Sequence, residues 1–278
     1  MTAAGGRSDR AASTSFWLLA VALPSLLAGC MAPAKRYEAL AADFGMERTS
    51  IQGDPYPHVV YSRHLREPGP LHIYIDGDGM PWMGDTPAAD PTPRHPLMLK
   101  LMDLDTAPAI YLGRPCYHGY AATLPCKPSL WTSARYSAEV VHSLEAAVRR
   151  LIKDDPARSL AWFGYSGGGV LAALLAARFP RSIALVTVGS NLDTAAWASH
   201  ARQDLGASLN PASVLPRLPP SIAQTHLAGS DDRVVPPAIA RNAIESLGGT
   251  LTVVRGYGHA CCWEALWPGV LRELTPGR

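Results

Sequence analysis

The sequence predicts an α/β fold in which helices cover both faces of a mostly parallel central sheet. Short apolar and β-branched stretches, such as 183–188 and 250–254, alternate along the chain with longer stretches of helical periodicity. Alternating strands and helices imply crossover connections, which join parallel strands. With 278 residues, the chain is long enough for one large domain with a well-buried core.

The same patterns place the individual elements. Strands are expected near 59–62 and at 71–75, 109–112, 159–163, 183–188, 221–228 and 250–254. Helices are expected at 35–44, 134–153, 170–179, 237–247 and 263–274. In an open sheet of this kind, active sites lie at the carboxyl ends of the strands, so the residues that follow each strand are the candidates for a functional site.

A tight turn follows the strand expected at 159–163. It contains Gly164, Ser166 and Gly168 in the spacing Gly-x-Ser-x-Gly, and a helix-forming stretch comes directly after it. Strand, tight turn and helix form the context of a nucleophile elbow, in which the glycines leave space where a Cβ would clash. The turn would place the Ser166 hydroxyl at a helix N-terminus, where the dipole favours negative charge. Ser166 is therefore the candidate nucleophile; the alternative is a glycine-rich turn with an incidental serine.

A serine nucleophile needs a general base and an acid that orients the base. Asp232 lies in the turn after the strand expected at 221–228, and His259 lies on a glycine-flanked loop after the strand at 250–254. Both therefore lie at strand ends, as Ser166 does. The alternatives are a helix N-cap for Asp232 and a loop histidine bonded to backbone for His259.

The order Ser166, Asp232, His259 resembles the triad of the α/β-hydrolase superfamily, the esterase and lipase type of serine hydrolase. The resemblance covers roughly 58–274. It implies Ser166 as nucleophile, His259 as base and Asp232 as acid. Asp232 is preferred to Asp231 because the family pattern Gly-x-x-Asp-x-x-Val-Pro fits Gly229, Asp232, Val235 and Pro236.

Two backbone N–H groups should stabilise the oxyanion of acyl transfer. The first is that of Gly167, the residue after the nucleophile. The second should come from the loop after the strand at 71–75, where the family usually has His-Gly and this chain has Asp76 and Gly77. By position the second donor is the Asp78 N–H, with Gly77 or Gly79 as alternatives. The Asp78 carboxylate is expected to point away from the oxyanion or to pair with a cation.

The N-terminus resembles the signal peptide of a bacterial lipoprotein. Arg7 and Arg10 precede an apolar run at 16–27 that is too short to span a bilayer, and the run ends in Leu-Leu-Ala-Gly before Cys30. The resemblance implies cleavage before Cys30, its lipidation, with palmitate among the acyl groups, and a membrane anchor facing the periplasm. Met31 suggests the outer membrane. The alternatives are an ordinary secretory signal and an uncleaved anchor.

An exported chain would meet an oxidising compartment, so the other four cysteines are disulfide candidates. Cys116 could pair with Cys126, and the adjacent Cys261 and Cys262 could pair with each other, but three pairings exist and the sequence does not choose among them. No Cys-x-x-Cys spacing suggests zinc, and we expect no metal and no other cofactor.

The predicted domains are a signal peptide at 1–29, a lipidated N-terminus and tether at 30–50, and an α/β-hydrolase domain at 51–278 with a small cap at about 193–220. A formal net charge of +2 without a basic stripe argues against a nucleic-acid partner.

The expected function is hydrolysis of a small-molecule acyl ester through an acyl-enzyme. Two alternatives stay open: an acyltransferase, peptidase or thioesterase on the same triad, and a non-catalytic envelope lipoprotein.

Overall fold

The structure is a computed structural model that describes residues 1–3 and 32–274. The helices are α1 (Pro33–Asp43), α2 (Leu97–Asp103), α3 (Ala138–Leu151), α4 (Gly167–Ala176), α5 (Thr194–Ala201), α6 (Pro211–Val214), α7 (Pro237–Leu247) and α8 (Trp267–Leu274). The strands are β1 (Glu47–Gln52), β2 (Pro57–Arg63), β3 (Leu71–Ile75), β4 (Trp82–Met83), β5 (Thr86–Pro87), β6 (Ala109–Leu112), β7 (Leu160–Tyr165), β8 (Ser182–Val188), β9 (Ala223–Gly229) and β10 (Leu251–Val254). Cys30 and the expected signal peptide lie outside the described residues, apart from positions 1–3.

Eight of the strands form one sheet in the order β1-β2-β6-β3-β7-β8-β9-β10. The six strands from β6 to β10 in this order are parallel. At one edge, β2 pairs antiparallel with β6, and β1 pairs antiparallel with β2. The predicted α/β class with a mostly parallel sheet is confirmed. Strands β4 and β5 form a separate small hairpin.

Alternating strand residues fill two cores, one on each face of the sheet. Ile73 and Trp162 pack on the face that α3, α4 and α7 cover, whereas their neighbours Tyr74 and Phe163 pack on the face of α1, α2 and α8. Because successive side chains of a strand point to opposite faces, strands that are buried on both faces read as continuous apolar runs. The central strands β3, β6 and β7 are buried along their whole lengths.

The boundary expected between tether and domain is wrong. Tyr37 of α1 is fully buried in the core, and β1 pairs with β2 from Glu47↔Ser62 to Gln52↔Pro57. Residues from Pro33 onward therefore belong to the compact unit with the sheet. The mostly polar, exposed sequence of β1 conceals it, because an edge strand needs no apolar face to pair through its backbone.

The helix expected at 134–153 begins later than predicted, at Ala138. The Ser137 side chain accepts a hydrogen bond from the Val140 N–H and so caps the helix. Residues 134–137 consequently form an irregular segment. This segment matters for the site described below, because it carries Arg135 and Tyr136.

Both disulfide pairs are between cysteines close in sequence: Cys116 is bonded to Cys126, and Cys261 to Cys262. The first closes a loop with a sequence separation of 10. Cross-linking a loop of about this size stabilises a protein by about 3 kcal/mol, mainly by restricting the unfolded chain. Urea unfolding of the Cys116→Ala/Cys126→Ala variant should therefore show a loss of about that size. A loss below about 0.5 kcal/mol would mean that the bond contributes no such constraint.

Three buried histidines make the protein sensitive to acid. Burial lowers the pKa of His58 to about 4, of His118 to about 3 and of His226 to about 4. An unfolded histidine binds its proton near pH 6.5, so the unfolded chain takes up more protons below that pH and stability falls. Burial raises the pKa of Asp76 to about 6, and this group opposes the trend because its folded form is protonated first.

From pH 7 to pH 5 the free energy of unfolding should fall by about 2 kcal/mol for each of the three histidines, and Asp76 should return about 1 kcal/mol. Urea titrations at several pH values measure this slope. A free energy of unfolding that stays constant over this range would show that these histidines are not kept neutral by burial.

Candidate active site

The turn after β7 has the geometry of an elbow. Ser166 adopts φ 51° and ψ −127°, in the region that L-residues rarely occupy, and its N–H donates to the Val188 carbonyl at 2.9 Å. A Cβ on Gly164 would overlap the backbone of Gly169, and one on Gly168 would overlap the carbonyl groups of β3 and its following loop. These glycines therefore allow the strand, turn and helix to approach closely.

The three residues of the expected triad lie together at the carboxyl ends of β7, β9 and β10. The Ser166 Oγ lies 3.1 Å from His259 Nε2, and His259 Nδ1 lies 2.7 Å from Asp232 Oδ2. Because the Asp232 carboxylate only accepts, Nδ1 carries the hydrogen and Nε2 faces the serine hydroxyl as an acceptor. The other Asp232 oxygen accepts from the N–H groups of Val234 and Val235 at 2.9 and 2.8 Å, which fixes the carboxylate.

The surroundings of His259 hold its ring in place. The Tyr165 ring lies 4.9 Å from the imidazole between centroids, and Trp263 Nε1 donates to the His259 carbonyl at 2.9 Å. Gly189, with φ 53°, leaves the space in which the imidazole meets Asp232, since a Cβ there would lie about 3.1 Å from the carboxylate. The imidazole keeps 16% of its surface exposed, whereas the Asp232 side chain is fully buried.

The neighbouring acid Asp231 has a different environment. It is exposed, and its carboxylate accepts from the Ser230 hydroxyl at 2.8 Å instead of from a histidine. Of the two adjacent acids, the structure brings only Asp232 to His259.

The loop after β3 lies against the elbow and offers N–H donors. The Gly77 N–H is engaged by the Asp76 carboxylate at 2.9 Å. Within residues 32–274, no hydrogen bond uses the N–H of Gly167 or of Asp78, the two donors expected for the oxyanion. Strand β3 lies next to β7 in the sheet, so the Asp78 loop and the elbow meet at one edge.

The Asp78 carboxylate is paired with two arginines. Arg114 Nη1 lies 2.5 Å from Oδ1, Arg135 Nη1 lies 3.0 Å from Oδ2, and the Tyr136 hydroxyl also donates to Oδ2. Burial alone would raise the pKa of this carboxyl, but Arg135 and Arg114 outweigh burial and hold the pKa below its usual value. The side chain therefore stays ionised beside the site and turned toward its cations.

Asp76, which stands where the family usually has histidine, is held by α1. The Tyr37 hydroxyl donates to Asp76 Oδ2 at 2.6 Å, and both residues are buried. Helix α1 thus contacts the loop of the candidate oxyanion donors.

A cavity of about 460 Å³ opens onto Ser166 and His259. Its other lining residues include the apolar Met80, Pro81, Pro93, Tyr165, Trp197, Val234 and Ala260, and the polar Arg94, His95, Arg135 and Gln203. The volume and the mostly apolar lining suit a small organic molecule with one reactive polar group. Trp197 and Gln203 come from the segment expected as a cap, where Trp197 Nε1 donates to the Val234 carbonyl at 2.8 Å.

Arg135, Tyr136 and Gln203 were not expected at the site from the sequence. Arg135 and Tyr136 fell inside a predicted amphipathic helix, where Tyr136 counted as an ordinary core position. The Ser137 N-cap could have indicated that both residues precede the helix. For Gln203 no local pattern exists.

In the described part of the chain, no group of three or more His, Cys, Asp or Glu side chains is arranged to hold a metal ion. Over the same residues, no helix combines the length and apolarity that crossing a bilayer requires.

Comparison with known proteins identifies solved structures that share this fold. No protein-family model and no curated protein matches the sequence. Among solved structures, an α/β serine hydrolase without a lid from Xanthomonas campestris is 14% identical with a TM-score of 0.55, covering 84% of this chain and 96% of its own. A membrane phospholipase A described as a bacterial virulence factor is 15% identical with a TM-score of 0.57, covering 92% and 97%.

Est1E from Butyrivibrio proteoclasticus is 15% identical with a TM-score of 0.53, covering 81% of this chain and 96% of its own. At these identities the likeness concerns the fold and not the substrate. Together with the sheet order and the elbow after β7, it shows that this chain adopts the α/β-hydrolase fold of the serine hydrolases.

Proposed function

We propose that the protein is a serine hydrolase that cleaves a carboxylic ester through an acyl-enzyme. The observation that carries this proposal is the hydrogen-bonded chain from the Ser166 Oγ to His259 Nε2 (3.1 Å) and from His259 Nδ1 to Asp232 (2.7 Å). These distances allow a proton to pass from hydroxyl to imidazole while a carboxylate stabilises the resulting imidazolium.

In the first step, Ser166 Oγ attacks the ester carbonyl carbon and its proton moves to His259 Nε2. The carbonyl π electrons move onto oxygen, and the N–H groups of Gly167 and Asp78 would donate hydrogen bonds to the resulting oxyanion. The tetrahedral intermediate then expels the alcohol, which takes the proton from His259, and leaves the acyl group on Ser166.

In the second step, water attacks the acyl-enzyme and gives a proton to His259. His259 returns a proton to Ser166 Oγ, which restores the free serine and releases the carboxylic acid. No cofactor takes part. An acyltransferase remains the second candidate on the same triad, and added alcohols would reveal it by forming new esters at the expense of the acid.

Labelling with a fluorophosphonate and turnover of p-nitrophenyl acetate test the proposal together. The native protein should be labelled on the peptide that contains Ser166 and should release a burst of p-nitrophenol equal to the enzyme concentration. Label on another residue would identify a different nucleophile. Absence of both label and turnover would favour a non-catalytic envelope protein.

We further propose that the protein is anchored to the bacterial outer membrane and faces the periplasm. The support is the apolar run that ends in Ala28, Gly29 and Cys30, a sequence similar to a lipoprotein signal. Growth with labelled palmitate should mark the wild-type protein and leave Cys30→Ser unmarked. A soluble, unmarked wild-type protein would argue for an ordinary secretory signal.

A further inference from the structure

Every hydrogen-bond acceptor of Asp78 is occupied by a residue from elsewhere in the chain. Arg114 binds Oδ1 at 2.5 Å, Arg135 binds Oδ2 at 3.0 Å, and the Tyr136 hydroxyl shares Oδ2. The Tyr117 hydroxyl donates to the Asp78 backbone carbonyl at 2.9 Å. Side chain and carbonyl are thus held from separate directions, which restricts the movement of the residue and therefore of its N–H.

The two arginines are themselves held rigidly. Arg114 Nη2 donates to the Arg135 carbonyl at 2.8 Å, and Arg135 donates to the Thr132 carbonyl at 2.6 Å and to Gln203 at 2.8 Å. Both guanidinium groups are almost completely buried, and that of Arg114 lies 5.1 Å from the Tyr117 ring centroid. An arginine side chain with several fixed hydrogen bonds has little rotamer freedom, so these two arginines can hold the Asp78 carboxylate in one position.

Asp78 lies against the turn that carries the nucleophile Ser166. A Cβ on Gly167 would overlap both the Asp78 carboxylate and the Tyr136 hydroxyl, and a Cβ on Gly77 would lie 3.2 Å from the Ser166 Cβ. We call Arg114, Arg135, Tyr117 and Tyr136 around Asp78 the clamp. It therefore holds a residue that contacts the elbow and carries one of the two N–H groups without an acceptor within the described chain.

Both buried carboxylates of this loop interact electrostatically with the arginines. Asp78 makes ion pairs with Arg114 and Arg135, while Asp76 is hydrogen-bonded to Tyr37 and Gly77 and the Arg114 charge opposes the rise in its pKa. Removing one partner of a buried ion pair leaves the other charge uncompensated. Without an arginine, the Asp78 carboxylate beside the elbow would therefore repel the negative charge that develops on an oxyanion during acyl transfer.

We propose that Arg114, Arg135 and Tyr117 are positioning residues that aim the Asp78 N–H at the oxyanion, and that the two arginines neutralise the Asp78 carboxylate beside it. This inference rests on the proposed hydrolase function. Asp78 then has two separate roles. Its backbone N–H donates to the oxyanion, and its carboxylate accepts the hydrogen bonds that fix the residue in place.

The test compares Tyr117→Phe, Arg135→Lys and Arg135→Met with the wild type. Tyr56→Phe is the matched control, because Tyr56 is also a buried tyrosine whose hydroxyl donates to a protein oxygen, that of Glu139, away from the cavity. For each protein, kcat and KM for p-nitrophenyl acetate and the inhibition constant of trifluoroacetone are measured. This ketone adds to Ser166 and carries the oxyanion, so its inhibition constant includes the stabilisation that the two N–H donors supply.

We expect Tyr117→Phe to lower kcat about 10-fold and Arg135→Met about 100-fold, with KM nearly constant, because only transition-state stabilisation is lost. The inhibition constant of trifluoroacetone should rise by the same factors, and Arg135→Lys should fall between wild type and Arg135→Met. Tyr56→Phe should leave kcat unchanged, whatever its effect on the melting temperature.

Variants that melt earlier yet keep the wild-type kcat and inhibition constant would overturn the clamp and leave the hydrolase function intact. If Arg135→Met is recovered only as unfolded protein, Tyr117→Phe decides, since it removes one hydroxyl and keeps the buried ring. A wild-type protein without turnover and without fluorophosphonate label would overturn the hydrolase function, and the clamp with it.

Discussion

Replacing Ser166 by alanine should lower kcat for p-nitrophenyl acetate by about 10⁵- to 10⁶-fold, the largest effect expected of any single substitution in this protein. Without Oγ no acyl-enzyme forms, and His259 loses the proton donor that lies 3.1 Å from Nε2. The N–H groups of the elbow loop would remain, so a small rate above the uncatalysed reaction should persist.

The melting temperature should change little, because alanine removes only the hydroxyl and retains the backbone turn. Ser213→Ala is a suitable control, since that serine is exposed on α6 and its hydroxyl only donates to the Asn210 carbonyl. Turnover that survives in Ser166→Ala at more than about a thousandth of the wild-type rate would identify another nucleophile.

Replacing Asp232 by asparagine should lower kcat by about 10⁴-fold. Asparagine can still accept the two backbone hydrogen bonds from Val234 and Val235 through its oxygen. Its amide nitrogen would then face His259 Nδ1 as a donor, which forces the imidazole hydrogen onto Nε2. A protonated Nε2 cannot accept the proton of Ser166, so the base is lost although the geometry is kept.

The adjacent Asp231→Asn offers a close control with the same chemical change one residue away. Asp231 is exposed and bonded to Ser230, so its variant should keep kcat within about threefold of wild type. Steady-state kinetics and fluorophosphonate labelling rates should change together in Asp232→Asn. Equal losses in the two variants would mean that the substitutions act through the shape of the turn and not through the imidazole tautomer.

The features that depend on local backbone geometry could be predicted from the sequence. The glycines around Ser166 are required by the approach of a strand and a helix a few residues away, so the elbow is visible as a short motif. The order of the elements, and the placement of Asp232 and His259 after β9 and β10, likewise follow from patterns within single segments.

Contacts between residues that are distant in the chain could not be predicted from the sequence. Asp78 pairs with Arg114 across 36 positions and with Arg135 across 57, and neither arginine stands in a motif. The edge strand β1 was also missed, because its exposed polar residues pair through backbone groups that every sequence offers.

From its residues alone, this chain determined an α/β sheet, a strained serine turn and an acid and a histidine at strand ends, since each depends on propensity, periodicity or glycine within a few positions. Only the tertiary structure decided how the Asp78 loop is held and that the N-terminal helix packs into the core. Those features depend on distances and burial between segments far apart in sequence, which exist only after the chain has folded.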